Sequence, residues 1–175
     1  MANVAIADAK NVDYLYDHFV DLSDSLLFYC SAACPNPNRF LANTLEEIEG
    51  LYKERQRELD LNCSLSLLAS VEATFRVDYL LRCRKKKKDS LSLNLRLLYR
   101  KKKEKASLED DILEAWKENT TAPRYLVGDI IGALRFRHWI AHGRYWDQNL
   151  GKTYDFISLY SLANAVLSSF PFETP

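Results

Sequence analysis

The residues most able to do chemistry lie between Arg135 and Trp146, a stretch with three arginines, two histidines and two tryptophans. Cleavage of RNA without a metal needs a base for the 2′-hydroxyl, an acid for the leaving 5′-oxygen and a cation beside the phosphate. Histidine, with an unperturbed pKa of about 6.5, suits proton transfer near neutral pH. Arginine stays charged and binds phosphate through a planar fork. Arg137 and His142 therefore supply half of a ribonuclease site.

The spacing of these residues leaves alternatives open. Arg137 and His142 diverge by about 140° on a regular helix, so they converge only near a helix end or in a cleft shared with a second chain. His138 and His142 share one face and could offer two nitrogens to a metal, but an HExxH motif has Glu where Trp139 stands, and no third ligand is evident, so we predict no metal. A third possibility is that Arg137 and the two histidines have no catalytic role and only cap carbonyl groups at the helix C-terminus, where positive charge is favoured.

The helix that carries this stretch is predicted from its apolar pattern. Pro123 opens it, the apolar run Tyr125 to Leu134 forms its body, and Gly143 ends it as a C-cap. Similar three- and four-residue spacings predict further helices, with a break at residues 60–62. Thr44 and Glu47 have the form of a capping box, so the second helix of the chain could begin later than Arg39. The predicted helices cover Asn11–Ser31, Arg39–Leu59, a span from Ser64, Ser107–Asn119 and Tyr154–Phe170.

One acidic residue, Glu72, has two possible roles. Glu72 and Arg76 are four residues apart, the spacing of an ion pair that stabilises an exposed helix by about 0.2–0.5 kcal/mol. Its neighbours Val71 and Phe75 flank an apolar face, so Glu72 could equally be held inside to position a functional arginine or histidine. The residues alone leave both roles open.

A lysine-rich segment at about residues 82–105 holds twelve of the chain's 24 lysines and arginines. It could be a solvated, self-repelling loop, or it could contact a polyanion. Nucleic acid would bind there through phosphates, without sequence preference. We predict that the nucleic-acid contacts come from Arg135, Arg144, Lys85, Lys86, Lys87, Lys88, Lys101, Lys102 and Lys103.

Composition limits the remaining possibilities. The length of 175 residues predicts one domain over residues 1–175, and five glycines with five prolines are few for a turn-rich β fold, so helices are expected. The formal net charge of zero excludes attraction of anions by the molecule as a whole. A signal-peptide pattern and a membrane span are both missing, so we expect a cytoplasmic protein without a membrane partner. The four cysteines are predicted to be buried, reduced thiols: Cys30, Cys34, Cys63 and Cys83.

The segment from Arg137 to Gly143, at the end of an apolar helix late in the chain, resembles the signature of HEPN domains. That signature has arginine, a polar residue, a short spacer and then Ala-His, often with Gly. The resemblance implies an all-α helical bundle, here of about five to seven helices. It also implies a dimer in which two motifs face each other across a cleft. Many members are metal-independent endoribonucleases of toxin or antiphage systems.

The resemblance also assigns roles to residues. The family's arginine maps onto Arg137 and its histidine onto His142, with His138 at the polar position, while Arg135 fits the looser spacing that the family permits. The stretch from Ser70 to Arg76 is similar to an internal HEPN helix and would make Glu72 a support for the motif. The chain lacks the Tyr-x-x-x-His-x-Tyr arrangement of one toxin group, and the lysine-rich insertion is not a general family feature.

Together these observations predict an endoribonuclease that needs no cofactor. It would act on RNA as a homodimer, leave 2′,3′-cyclic phosphate ends and have an antitoxin or another regulatory partner. The alternative is a non-catalytic helical module that binds nucleic acid or a partner and uses the motif as a dimer interface.

Overall fold

The described residues form six α-helices, which make up most of the chain, and no strand. The computed structural model describes residues 11–31, 37–146 and 151–173. A 3₁₀ turn at Pro37–Phe40 precedes the second helix, and a π-helical turn at Leu108–Leu113 leads into the fourth. This confirms the predicted all-α bundle of about five to seven helices. The helices are α1 (Val12–Cys30), α2 (Leu45–Lys85), α3 (Ser90–Lys102), α4 (Glu114–Asn119), α5 (Arg124–Ala141) and α6 (Phe156–Ser169).

Helix α2 is one continuous helix of 41 residues, so the predicted break at residues 60–62 is wrong. The polar side chains of Asp60 and Asn62 form hydrogen bonds without ending the helix. Asp60 accepts a hydrogen bond of 3.0 Å from the Phe156 amide, which caps the start of α6. The Asn62 amide donates to the Glu58 carbonyl at 2.8 Å, and Leu61 is buried. The helix therefore continues into the core at this point.

The start of α2 also differs from the predicted start at Arg39. Thr44 and Glu47 form a capping box, in which the Thr44 hydroxyl accepts from the Glu47 amide at 3.2 Å. The Glu47 carboxylate in turn accepts from the Thr44 amide at 2.7 Å. These two bonds satisfy amides that have no partner within the helix. The later start, which the sequence left as an alternative, is confirmed.

The core forms around α2, which packs against α1, α3, α5 and α6. Its apolar face meets α4 and the segment after α6 in an aromatic cluster. The Phe75 ring lies edge-on to Trp116 and Phe172, with centroids 6.2 and 5.0 Å apart. Edge-to-face pairs of this kind add about 0.5–1.5 kcal/mol to the burial of the rings. The cluster holds Phe172, in the segment after α6, against α2 and α4.

A buried ion pair holds the C-terminal end of α2. Asp78 and Arg82 have side chains only 1% and 6% exposed, and the Arg82 Nε lies 2.9 Å from Asp78 Oδ2. Arg82 also donates to the Pro171 carbonyl at 2.6 Å and to the Ser92 hydroxyl at 3.3 Å. Asp78 accepts from the Glu173 amide at 2.8 Å. The buried charges are tolerated because they are paired and hydrogen-bonded. Their hydrogen bonds join α2, α3 and the segment after α6.

The lysine-rich segment is part of this packed structure, so its interpretation as a loop is wrong. Helix α3 occupies its middle, and Leu91 and Leu95 of α3 are buried in the core. Asp89 caps the helix by accepting from the Ser92 amide at 2.9 Å. The basic residues lie at the end of α2, on the turn between α2 and α3, and on α3 and the turn that follows it.

The described cysteines are free thiols. Cys63 is buried, as predicted, whereas Cys30 and Cys83 are only half-buried. Burial raises the pKa of the Cys83 thiol to about 11, which keeps it protonated at neutral pH. Cys34 lies outside the described residues.

Candidate active site

The basic end of α5 is fixed by a Schellman-type turn. The His142 amide donates to the His138 carbonyl at 3.1 Å, and the Arg144 amide donates to the Trp139 carbonyl at 3.2 Å. Gly143 has a φ of +80°, a left-handed conformation that glycine adopts without a steric cost. The prediction that Gly143 ends this helix is confirmed. His142 is the C-cap residue, so its side chain leaves the helix at the last turn.

Glu72 joins two arginines from different helices. Its Oε1 accepts from Arg76 Nε at 2.7 Å, and its Oε2 lies 2.9 Å from Arg137 Nη1. The Glu72 side chain is 17% exposed, so both contacts are partly shielded from solvent. Arg76 also donates to the Ala106 carbonyl at 3.3 Å. Glu72 therefore makes the predicted pair with Arg76 and, with its other oxygen, holds Arg137 at the contact between α2 and α5.

This arrangement leaves positive charge at the end of α5. Two guanidinium groups, those of Arg76 and Arg137, share the single carboxylate of Glu72, so one positive charge is not balanced within the cluster. The Arg137 side chain is 34% exposed. Its Nε is buried without a hydrogen-bond partner among the described residues. Since a guanidinium carries five N–H donors, Arg137 keeps the capacity to bind an anion after its contact with Glu72.

The two histidines of the motif lie side by side and are exposed. The ring centroids of His138 and His142 are 4.1 Å apart, and the planes are tilted by 47°. The predicted shared face of these histidines is confirmed. No contact between described residues joins Arg137 to His142, as expected from their divergence of about 140° around the helix.

The other two arginines of the stretch are already paired. Arg144 makes a bidentate salt bridge with Glu58 of α2, in which Nη2 donates to Oε2 at 3.1 Å. This hydrogen bond lowers the pKa of the Glu58 carboxyl. Arg135 is exposed, and its Nε lies 3.7 Å from a carboxylate oxygen of Glu109. Arg144 thus anchors the turn after α5 to α2, while Arg135 stays accessible.

The predicted lysines divide into paired and unpaired sets. Lys85 and Lys87 both contact the Glu173 carboxylate, and Lys102 lies 2.7 Å from Asp111. The hydrogen bond from Lys87 lowers the pKa of Glu173. None of the seven lysines contacts Arg137 or a motif histidine within the described ranges. Four of them are exposed and have no carboxylate within ion-pair distance there: Lys86, Lys88, Lys101 and Lys103.

Sequence reasoning missed the aromatic residues that follow the motif. The Trp139 indole donates to the Trp146 carbonyl at 2.8 Å, which closes the turn after α5. The Trp146 ring lies 6.1 Å from His138 and 4.5 Å from Tyr145, measured between centroids. The available signal was a pair of aromatic residues two and three positions after a glycine C-cap, because the Schellman turn brings them back beside the last helical turn.

Comparisons with known proteins give no assignment: no protein-family model, no curated protein and no solved structure matches this chain. No group of three or more histidine, cysteine or acidic side chains in the described ranges lies close enough to hold a metal ion. No described helix has both the length and the apolar character needed to cross a membrane. The function therefore has to be argued from the cluster at the end of α5.

Proposed function

We propose that this protein is a metal-independent endoribonuclease of the HEPN type that acts as a homodimer. One observation carries the proposal: Glu72 fixes Arg137, with an unbalanced positive charge, at the same helix end that exposes His138 and His142. A fixed guanidinium suits a phosphate, and an exposed imidazole suits proton transfer. The resemblance of the Arg137–Gly143 segment to the HEPN signature supports the same reaction.

In the proposed reaction, Arg137 holds the scissile phosphate. The neutral His142 takes the proton from the ribose 2′-hydroxyl, and the 2′-oxygen forms a bond to phosphorus. The bond from phosphorus to the 5′-oxygen breaks, and the imidazolium formed at His142 gives its proton to that oxygen. The products are a 2′,3′-cyclic phosphate and a 5′-hydroxyl. His138 supports His142 through the contact between their rings, and Glu72 positions Arg137.

A second copy of the chain would complete the site. Within one copy Arg137 contacts Glu72 of α2, whereas the His142 ring contacts His138. We therefore infer that Arg137 of one copy meets His142 of the other copy at one phosphate. This predicts complementation between inactive variants. A mixture of Arg137→Ala and His142→Ala protomers should regain activity, because one site of each mixed dimer keeps both residues. A mixture as inactive as its parts would show that each site lies within one chain.

The direct test is cleavage of labelled tRNA, rRNA and mRNA in the presence of EDTA. Since general acid–base catalysis contributes about 10²–10⁴-fold, His142→Ala should lower the rate by at least that lower factor while helicity stays unchanged. His18→Ala is the matched control, because His18 is also exposed but lies on α1. Cleavage that needs an added metal, or that survives in His142→Ala, would refute the proposal.

A second function is favoured by a different property of the same cluster. The ion pair between Arg137 and Glu72 is also a contact between α2 and α5, so it could serve packing alone. The protein would then be a non-catalytic helical module that binds nucleic acid or a partner and uses the motif as a dimer interface. It would show salt-sensitive binding without turnover, and His142→Ala would bind as well as the unaltered protein.

The biological setting is part of the proposal. Unspecific RNA cleavage harms the cell that carries it out, so we place the protein in the cytoplasm, in a toxin or antiphage defence system. An antitoxin or another regulatory partner would hold it inactive. Expression of the unaltered protein should therefore stop growth, and expression of His142→Ala should not.

A further inference from the structure

Four exposed rings form a continuous cluster that includes the proposed proton-transfer residue, His142. His142 contacts His138, His138 contacts Trp146, and Trp146 contacts Tyr145, with centroid distances of 4.1, 6.1 and 4.5 Å. Tyr145 is 82% exposed and Trp146 is 37% exposed. Large aromatic side chains that stay this accessible in a group are typical of recognition surfaces.

The turn that carries the two outer rings is held in place at several points. The Trp139 indole binds the Trp146 carbonyl, and Arg144 binds Glu58 on α2. Gly143 and Arg144 both have positive φ angles, +80° and +58°, which direct the chain back towards α5. Because the backbone is fixed, Tyr145 and Trp146 lose little conformational entropy when a flat ligand binds.

We propose that Tyr145 and Trp146 form a stacking site for an unpaired nucleobase next to the scissile phosphate, so that the substrate is single-stranded RNA. This inference rests on the proposed function and names its substrate class. The Tyr145 and Trp146 planes are 78° apart, so the two rings present separate faces. Bases in a duplex are already stacked on one another, whereas unpaired bases can be splayed out onto aromatic side chains.

Positive charge at this end of α5 suits a phosphate backbone. The unbalanced charge of Arg76, Glu72 and Arg137 lies at the same end of α5 as the rings. Trp146 contacts His138, and His138 contacts His142. A strand that stacks one base on Tyr145 or Trp146 would therefore place its neighbouring phosphate near His142. Stacking tolerates any base because every base has a π-face, so the site selects for single strands and not for a sequence.

The test separates base stacking from cleavage. The probes are fluorescein-labelled 2′-O-methyl oligoribonucleotides, which lack the 2′-hydroxyl that cleavage requires: a single strand, its duplex, and an abasic strand with the same backbone. The unaltered protein should bind the base-bearing single strand most tightly. Tyr145→Ala and Trp146→Ala should each weaken that binding about 5- to 150-fold, towards the level of the abasic strand.

Two controls accompany the variants. Tyr145→Phe keeps the ring and should bind almost as well as the unaltered protein. Tyr125→Ala removes another exposed tyrosine, in the first turn of α5, and should leave binding unchanged. Circular dichroism of each variant confirms that the fold is retained.

The outcomes also separate this inference from the proposed function. If the protein binds single strands through Tyr145 but cuts no RNA, the stacking site stands and the ribonuclease proposal fails. Cleavage that is indifferent to Tyr145→Ala and Trp146→Ala would overturn the stacking site alone, and so would equal affinity for abasic and base-bearing strands. If sedimentation shows that Trp146→Ala dissociates a dimer while the affinity of each protomer for RNA is unchanged, the rings are a protein interface and the stacking site is likewise overturned.

Discussion

The contact between Glu72 and Arg137 can be measured by its effect on stability, whatever reaction the protein carries out. The perturbations are Glu72→Gln and Arg137→Met, which remove one charge each and keep most of the side-chain volume, together with the double variant. The Glu72 oxygen and the Arg137 nitrogen are 2.9 Å apart, in side chains that are 17% and 34% exposed. A double-mutant cycle isolates their mutual interaction from the effect of either change on Arg76.

The structure sets the expected magnitude. Exposed ion pairs four residues apart on a helix contribute about 0.3–0.5 kcal/mol, whereas hydrogen bonds to charged groups contribute about 1.5–3 kcal/mol. Because the Glu72–Arg137 contact is partly shielded, a coupling energy between these limits is expected, about 1–2 kcal/mol. The chain contains a control in Glu49 and Lys53, a pair at 2.6 Å whose side chains are 64% and 70% exposed.

The assay is equilibrium unfolding in urea, followed by circular dichroism, for the four proteins of each cycle. The coupling between Glu72 and Arg137 should exceed that between Glu49 and Lys53 by at least about twofold. High salt should reduce the control coupling more strongly, because exposed charges are screened more than shielded ones. Equal couplings would show that Glu72 does not hold Arg137, and would remove the observation that carries the proposed function.

Four further predictions concern the scaffold. Asn62→Pro should cost about 3 kcal/mol or more, because α2 continues through this position, whereas a near-unaltered urea midpoint would indicate a break there. Gly128→Ala should stabilise the protein by about 0.5–1 kcal/mol, since an added Cβ meets no atom within 4 Å. Gly132→Ala would press its Cβ against the Tyr154 hydroxyl and should be less stable than Gly128→Ala by about 1 kcal/mol or more, and thermal melts that rank them oppositely would refute this. Cys83, with its pKa raised to about 11, should react with iodoacetamide at pH 8 roughly a hundredfold more slowly than glutathione, and comparable rates by mass spectrometry would contradict its burial.

Much of the fold could be predicted because its signals are local. Asn11, Pro123 and Gly143 mark helix ends through their own backbone and capping preferences, and the structure places helix ends at or beside each of them. The helix spacing of the leucines was equally visible. The predicted break at residues 60–62 is wrong because the partner of Asp60 is the Phe156 amide, almost a hundred residues further along the chain. No local pattern contains that hydrogen bond.

The candidate site was predictable to a similar extent. The side-by-side placement of His138 and His142 follows from their four-residue spacing. The two roles considered for Glu72 could not be separated by sequence, because each uses a different carboxylate oxygen and the structure contains both contacts. The sequence shows the lysine runs as one basic segment, yet Glu173 and Asp111 pair with only some of these lysines, and both acids lie elsewhere in the chain.

The end of α5 separates two kinds of group that the reaction would need. Arg137 faces α2 and is fixed there by Glu72, whereas His142 and its neighbouring rings face solvent. A phosphate-binding group gains from being fixed, because a preorganised cation costs no reorganisation when charge develops. A proton-transfer group needs access to the strand. No hydrogen bond, ion pair or ring contact among the described residues links Arg137 to the ring cluster. The effects of substitutions at Glu72 and Tyr145 on the free energy of RNA binding should therefore be additive. Substitutions of two residues that contact each other, such as Glu72 and Arg137, should instead be coupled.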